Sequence, residues 1–356
     1  MAQKGYNSYR GRRFGGRLFP VLVLVLVLLA ACAFMLAQEH IIYSDDGSIR
    51  LDLPFLREKD TPEEPGDMNL VIEGEEQPEE TPEQSVAAPQ EVYGDHRLVE
   101  LAALPGSGEA LTNLLEQEGA NGFVYTVRDK TGQVYLDSAV AIKSSSKGAA
   151  GTVDQLSWLC AQEDVVTVAR LNCFHDSYFA WLNMESAGIC QSGGHIWYDN
   201  ISYHWIDPAK KPAREYVISL ALECAQMGFD ELLLEEMHYP VSGKLEKIDY
   251  SGNELGKAEA LVLFLEELRA ALEPYHVKIS LLVDEQVLDA DAAYVEASGL
   301  QLEKLLPLVD AVYCRTEEPD GARRKIAERT DGMEAIALIP VVSEKIDGYN
   351  WYISTK

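Results

Sequence analysis

From His96 onward, short apolar runs rich in β-branched residues alternate with stretches whose apolar residues recur every three or four positions. The first kind reads as buried strands and the second as amphipathic helices, and their alternation is the signature of a parallel sheet with crossover helices. Candidate strands lie at 97–103, 122–127, 165–171, 231–236, 277–283, 310–313 and 335–341, with 349–354 as an eighth. Helical periodicity falls between them at 108–118, 153–161, 213–227, 257–272, 302–306 and 322–329. Seven or eight such repeats over roughly 260 residues predict an α/β fold of the (β/α)8 TIM-barrel type. A doubly wound open sheet is the runner-up, but no GxGxxG or P-loop run follows the first strand to support it. The chain stops directly after the last candidate strand, so the expected barrel lacks a closing helix at its C-terminus.

The region ahead of His96 is organised differently. Residues 1–17 carry Lys4, Arg10, Arg12, Arg13 and Arg17 without an acid, and 18–37 is an uncharged apolar run long enough to cross a bilayer. This predicts a single membrane anchor with its N-terminus in the cytoplasm and the main domain, 96–356, on the extracytoplasmic side of the cell membrane. Leu29-Ala30-Ala31-Cys32 also resembles a lipobox, and lipidation of Cys32 would leave the domain on the same face. Residues 38–95 are rich in Glu and Pro, with repeats such as Glu79-Glu80-Thr81-Pro82-Glu83. Such a segment buries too little apolar surface to offset chain entropy, so a disordered acidic tether is expected.

The formal net charge of -28 argues against nucleic acid as a partner. Beyond Cys32, the cysteines at 160, 173, 190, 224 and 314 form no CxxC pair and no zinc spacing. Buried free thiols are expected, with a disulfide through Cys190 as the alternative, and neither a metal nor a cofactor.

The run from 228 to 240, Gly-Phe-Asp-Glu-Leu-Leu-Leu-Glu-Glu-Met-His-Tyr-Pro, carries the most chemistry. A strand there delivers two carboxylates and an imidazole to its C-terminal tip, where parallel α/β proteins keep their sites. Period-two alternation turns Leu232 and Leu234 toward the helices and Leu233 and Glu235 inward, leaving Glu236 outward or in the loop. Other tips offer Asp129, Asp176, Asp284, Glu285 and Arg315. Carboxylates at several tips suit acid/base work on a neutral polar substrate, glycosidic cleavage being the commonest such reaction. Glu235 is the first candidate for nucleophile or base, and Asp176, Asp284 and Glu285 are candidates for the proton donor. The competing reading of Glu235 is a structural carboxylate paired with a neighbouring basic residue such as Arg170. The long connection after the third strand holds Phe174, Tyr178, Phe179, Trp181, Trp197, Tyr198, Tyr203 and Trp205. Sugar rings pack on such faces, and at least half of these rings are expected to be buried. Trp197 and Trp205 are the candidate contacts, with Asp129, Glu236, His238 and Arg315 as polar ones.

The 228–240 run, preceded by Trp205-Ile206-Asp207-Pro208, resembles the central motif of a bacterial family of envelope-associated TIM-barrel proteins grouped with the glycoside hydrolases. Segments 121–132, 165–176 and 309–313 agree with its second, third and sixth strands in order and spacing. The resemblance implies a barrel that hydrolyses an extracellular or cell-wall polysaccharide, or a peptidoglycan-like glycan. Carried over by position, Glu235 occupies the family's acidic place, where aspartate is usual, and His238 the place normally held by arginine. Glu236 replaces an aromatic residue and Leu233 a polar inward one. Because these departures gather at the presumed mouth, the alternative is an inactive barrel that binds glycan or an envelope partner.

Overall fold

The computed structural model describes residues 41–43, 49–51, 93–143, 151–329, 336–346 and 350–354. The chain divides into two units, Met1–Gln84 and Ser85–Lys356. In the first, Ile41–Tyr43 and Ile49–Leu51 pair antiparallel. The basic segment, the apolar run at 18–37 and most of the acidic tether lie outside the described residues. Among the described residues, no helix is long and apolar enough to cross a membrane.

The second unit is built on eight parallel strands: β1 (Arg97–Glu100), β2 (Gly122–Arg128), β3 (Val166–Asn172), β4 (Glu231–Glu235), β5 (Lys278–Asp284), β6 (Ala311–Arg315), β7 (Ala337–Val342) and β8 (Trp351–Ile353). They follow one another around a closed barrel. The candidate eighth strand closes the barrel: β8 pairs with β7 through Tyr352 opposite Val341 and with β1 through Tyr352 opposite Leu98. Closure also rules out the open sheet.

Long helices cover the outside of the strands: α1 (Gly108–Glu118), α2 (Thr152–Cys160), α3 (Lys211–Met227), α4 (Lys257–Leu272) and α5 (Pro319–Arg329). Their limits follow local chemistry. Ser107 caps α1 by accepting from the Ala110 N–H at 3.2 Å, and Gly228 ends α3 at φ 94°, a conformation that favours glycine. The side chains of Leu220, Ala221 and Cys224 on α3, and of Leu261, Phe264 and Leu268 on α4, pack against outward strand residues such as Leu232 and Leu234. Alternate strand residues fill the barrel itself, among them Leu98, Val124, Val168, Leu233, Leu282, Tyr313, Ile339 and Tyr352. Sequence parity on β4 thus holds in the structure.

One strand start admits only glycine. A Cβ on Gly122 would collide with the Val166 carbonyl oxygen and the Val166 and Leu98 side chains. Gly122→Ala is accordingly expected to cost about 3 kcal/mol, at the upper end for overpacking, because the obstacle includes backbone in the neighbouring strand. Urea denaturation would show it; an unchanged midpoint would mean that β3 yields freely.

The N-terminal end of the barrel is plugged by polar groups. Glu231 points inward from the start of β4, fully buried, with His96 Nε2 at 3.1 Å. Tyr93 lies alongside, its hydroxyl 3.3 Å from Ser280 Oγ and its ring 4.3 Å from Lys278 Nζ. Chemistry is thereby left to the opposite end, where the β→α connections open.

Candidate active site

Glu235 ends β4 facing the barrel interior, with a fifth of its side chain exposed. Arg315, at the corresponding end of β6, donates from Nη2 to Glu235 Oε1 at 2.5 Å and from Nη1 to Asp284 Oδ1 at 3.1 Å. One guanidinium fork therefore joins the two acids, which puts their oxygens within roughly 8 Å of each other. From below, Arg170 brings its Nε to 3.7 Å from Glu235 Oε2. Arg170 is buried and also donates to Glu100 Oε1 at 2.6 Å, Thr126 Oγ1 at 2.6 Å and the Tyr352 hydroxyl at 3.0 Å. The floor of the mouth is thus a charged network drawn from β1, β2, β3, β4 and β8. Beside it, the buried Asn172 Oδ1 has no hydrogen-bond partner among the described residues.

The next residue departs from ideal strand geometry. Glu236 has φ 50°, in the left-handed region that costs a non-glycine residue. Hydrogen bonds across the β3 tip hold the turn: the Cys173 N–H donates to the Glu235 carbonyl at 2.7 Å and the Phe174 N–H to that of Glu236 at 3.4 Å. Glu236 does not face outward. It lines one small cavity of about 30 Å³ together with Glu235, His238, Asp284 and Arg315. His238 Nε2 lies 2.9 Å from Glu236 Oε2 and its Nδ1 lies 2.7 Å from the Tyr239 carbonyl oxygen. Burial opposes charge on both partners, but the hydrogen bond from His238 and the charges of His238, His175 and Arg315 bring the Glu236 carboxyl down to about 2. Burial likewise disfavours a charged His238, yet the bond and charge of Glu236 raise its pKa above the ordinary value.

These shifts define a window. Glu236 contributes stability above its unfolded value of 4.5 and loses it as pH falls toward 2, whereas His238 contributes fully below 6.5 and loses it as pH rises through its raised folded value. The melting-temperature difference between wild type and His238→Gln is therefore expected to be largest near about pH 5 to 6 and to shrink above neutrality. A difference that stays flat from pH 5 to 9 would show that the pair is not ionic.

Several expected site residues lie elsewhere. Asp176 is fully buried, its Oδ2 accepting from Arg128 Nη1 at 3.0 Å and its Oδ1 from the Phe179 N–H at 2.8 Å. Burial raises its pKa against the pull of Arg128, but no substrate reaches it: it caps the short helix Ser177–Leu182. A bulge after Thr126 turns Arg128 into this position. Asp129 is taken up by its own loop, accepting from Thr131, Gln133 and the Tyr135 hydroxyl. Glu285 accepts from Thr316 Oγ1 at 2.8 Å and Lys325 Nζ at 3.1 Å. It lies beside an open cleft of about 890 Å³ that is lined in part by Arg315, Thr316, Val341, Glu344 and Ser354.

Trp197 and Trp205 are both buried, their indole N–H groups bonded to the Lys244 carbonyl at 3.0 Å and to Asp199 Oδ2 at 3.1 Å. They build the loop's own core and present no face to a ligand. Phe174 and Phe179 are buried as well, whereas Tyr178, Trp181 and Tyr198 are exposed. Arg170 stands beside Glu235 as the structural reading of that carboxylate expected, whereas Glu100 completes the network without having been singled out. The signal for Glu100 was its two-residue spacing from inward Leu98, hidden because the candidate strand ran on past it. Among the described residues, no group of three His, Cys, Asp or Glu side chains is placed to hold a metal ion. Cys160, Cys173, Cys190, Cys224 and Cys314 are unpaired, and burial pushes the Cys173 thiol up to about 12.

Residues 100–314, more than half of the chain, match the model of a family described as "Putative glycosyl hydrolase domain". The chain belongs to that family. No curated protein matches the chain. Among solved structures it is similar to the glycoside hydrolase domain of PgaB (BpsB) from Bordetella bronchiseptica, with 14% identity, 73% of this chain and 94% of that one covered, and a TM-score of 0.50. It is also similar to a hypothetical protein from Ruminiclostridium thermocellum ATCC 27405, at 24% identity over 52% of this chain and 96% of that one, with a TM-score of 0.43. The glycoside hydrolase domain of PelA from Pseudomonas aeruginosa gives 15% over 70% and 84%, with a TM-score of 0.41. At these identities the likeness to PgaB speaks for the barrel fold alone.

Proposed function

We propose that the barrel is a glycoside hydrolase that cleaves an extracellular or cell-wall polysaccharide at its C-terminal mouth. Glu235 is the carboxylate at the reaction centre, as nucleophile or base, and Asp284 is the proton donor to the leaving oxygen. The supporting observation is the Arg315 bridge, which gathers an inward acid and a second acid, 60% exposed, at one opening. Their separation has an upper limit of roughly 8 Å, which is compatible with the ~5 to 9.5 Å span used by glycosidases. Family membership and the open cleft beside Arg315 agree with this reading. The apolar run at 18–37 and the acidic tether would hold the domain outside the cell membrane, within reach of such a polymer.

A specific feature favours a second reading, a barrel that binds glycan without cutting it. Glu235 has guanidinium groups against both oxygens, Arg315 at Oε1 and Arg170 near Oε2, which leaves little electron density for attack. Incubation of the full chain with peptidoglycan and with soluble plant and host glycans separates the two. New reducing ends support the hydrolase, retention without release supports the binding protein, and neither would end the glycan assignment.

A further inference from the structure

Helix Ser177–Leu182 buries Phe179 and Ala180 but turns Tyr178 and Trp181 to solvent, at 48% and 65% exposure. These two residues are three apart and share a face of the helix. Such exposure in a chain that buries Trp197 and Trp205 nearby is not a shortage of core. The rings are also held in place. The helix is fixed at its start by buried Asp176, itself held by Arg128, and Trp181 stacks on His204 with centroids 5.6 Å apart and planes at 27°. His204 is fastened in turn by its N–H to Ser177 Oγ at 2.9 Å and by Nδ1 against the Trp197 carbonyl oxygen at 2.8 Å. One face of the indole is thereby backed and the other left open.

A second set of ring contacts runs from the residue beside His204 to the barrel mouth. Next to His204, Tyr203 lies 5.5 Å from His175, His175 stacks on Trp205 at 4.2 Å, and Trp205 lies 5.4 Å from His238. His175 and Trp205 are buried, so the loop that carries Tyr203 and His204 packs against the residues that lead to Glu236 through His238. Pyranose rings offer apolar C–H faces that pack on aromatic planes, whereas their hydroxyls stay in water at the edges. Two exposed rings on one helix face, one of them stacked on His204, suit that ligand.

We infer that Tyr178 and Trp181 form an accessory subsite for distal sugar units of a polysaccharide whose reacting bond lies at the mouth. This rests on the glycan reading above and adds to it a requirement for chain length. Binding is strengthened only by oligomers long enough to reach from the mouth to the helix.

The test measures binding by the full chain carrying Glu235→Gln, with N-acetylglucosamine and glucosamine oligomers of two to eight units as probes. Affinity is expected to rise with length in the parent, and Trp181→Ala or Tyr178→Ala to weaken the longest oligomers by roughly three- to tenfold with dimers unaffected. Trp181→Phe should retain most of the rise, because a ring still faces the ligand. Short oligomers that bind without any gain from length, or a gain that survives Trp181→Ala, would overturn the subsite but leave the mouth assignment standing. Absence of binding at every length would overturn both.

Discussion

Glu235→Gln is expected to lower the rate of glycan hydrolysis by roughly 10³- to 10⁴-fold while leaving glycan affinity within a few-fold. The substitution keeps the shape of the side chain and an oxygen to accept from Arg315 Nη2, so the Arg315 bridge to Asp284 need not collapse. What disappears is the negative charge opposite the developing positive charge on the sugar, together with the lone pair that attacks carbon or water. Such a loss corresponds to about 4 to 5.5 kcal/mol of transition-state stabilisation, far more than one hydrogen bond contributes to binding. Comparing kcat with directly measured affinity separates these effects, since a residue that merely shaped the mouth would move both. Hydrolysis within threefold of wild type would place the chemistry on another carboxylate, with ionised Glu236 next in line because it shares the cavity.

The sequence and the structure agree most closely where a residue's position depends only on its neighbours along the chain. β4 is an apolar run that begins after the Gly228 stop, and its period-two alternation alone places Glu235 inside and Leu234 outside. Limits of α1 and α4 coincide with the expected helical periodicity for the same reason. The burial of Asp176 at the β3 tip depends on Arg128, which reaches it through a bulge in β2 that has no sequence mark. The loop rings were ranked in the wrong order on similar grounds. Whether Trp205 or Trp181 meets solvent is decided by partners far away or across the loop, such as Asp199 for one indole N–H, and no periodicity encodes them. Alternation leaves Glu236 outward or in the loop, and it lies in a turn of positive φ where the alternation rule ends. Local pattern therefore located the mouth, whereas the chemistry of its rim is set by contacts between connections.

Arg170→Met is expected to destabilise the barrel by about 3 to 5 kcal/mol, the cost of removing one member of a buried ion pair. Methionine fills most of the volume of the arginine stem, so the loss is electrostatic rather than a cavity effect. It removes the guanidinium facing Glu100, whose side chain is only 5% exposed, and with it the bonds to Thr126 and Tyr352. The Thr126 and Ser354 hydroxyls remain within 3.3 and 3.0 Å of the Glu100 carboxylate, but neutral donors do not replace a cation in a site this dry. Glu100→Gln in the same chain should recover more than half of the deficit by removing the stranded charge, a coupling that the double-mutant cycle reads directly in urea denaturation. Equal losses in the single and double mutants would show that Arg170 acts through Tyr352 and packing instead. The same variant bears on the chemistry, because Arg170 Nε is one of the two cations against Glu235. If Arg170 restrains that carboxylate as the binding-only reading requires, a folded Arg170→Met, Glu100→Gln chain gains hydrolytic rate over wild type. If Arg170 instead aligns Glu235 for attack, the rate falls although the fold has been restored.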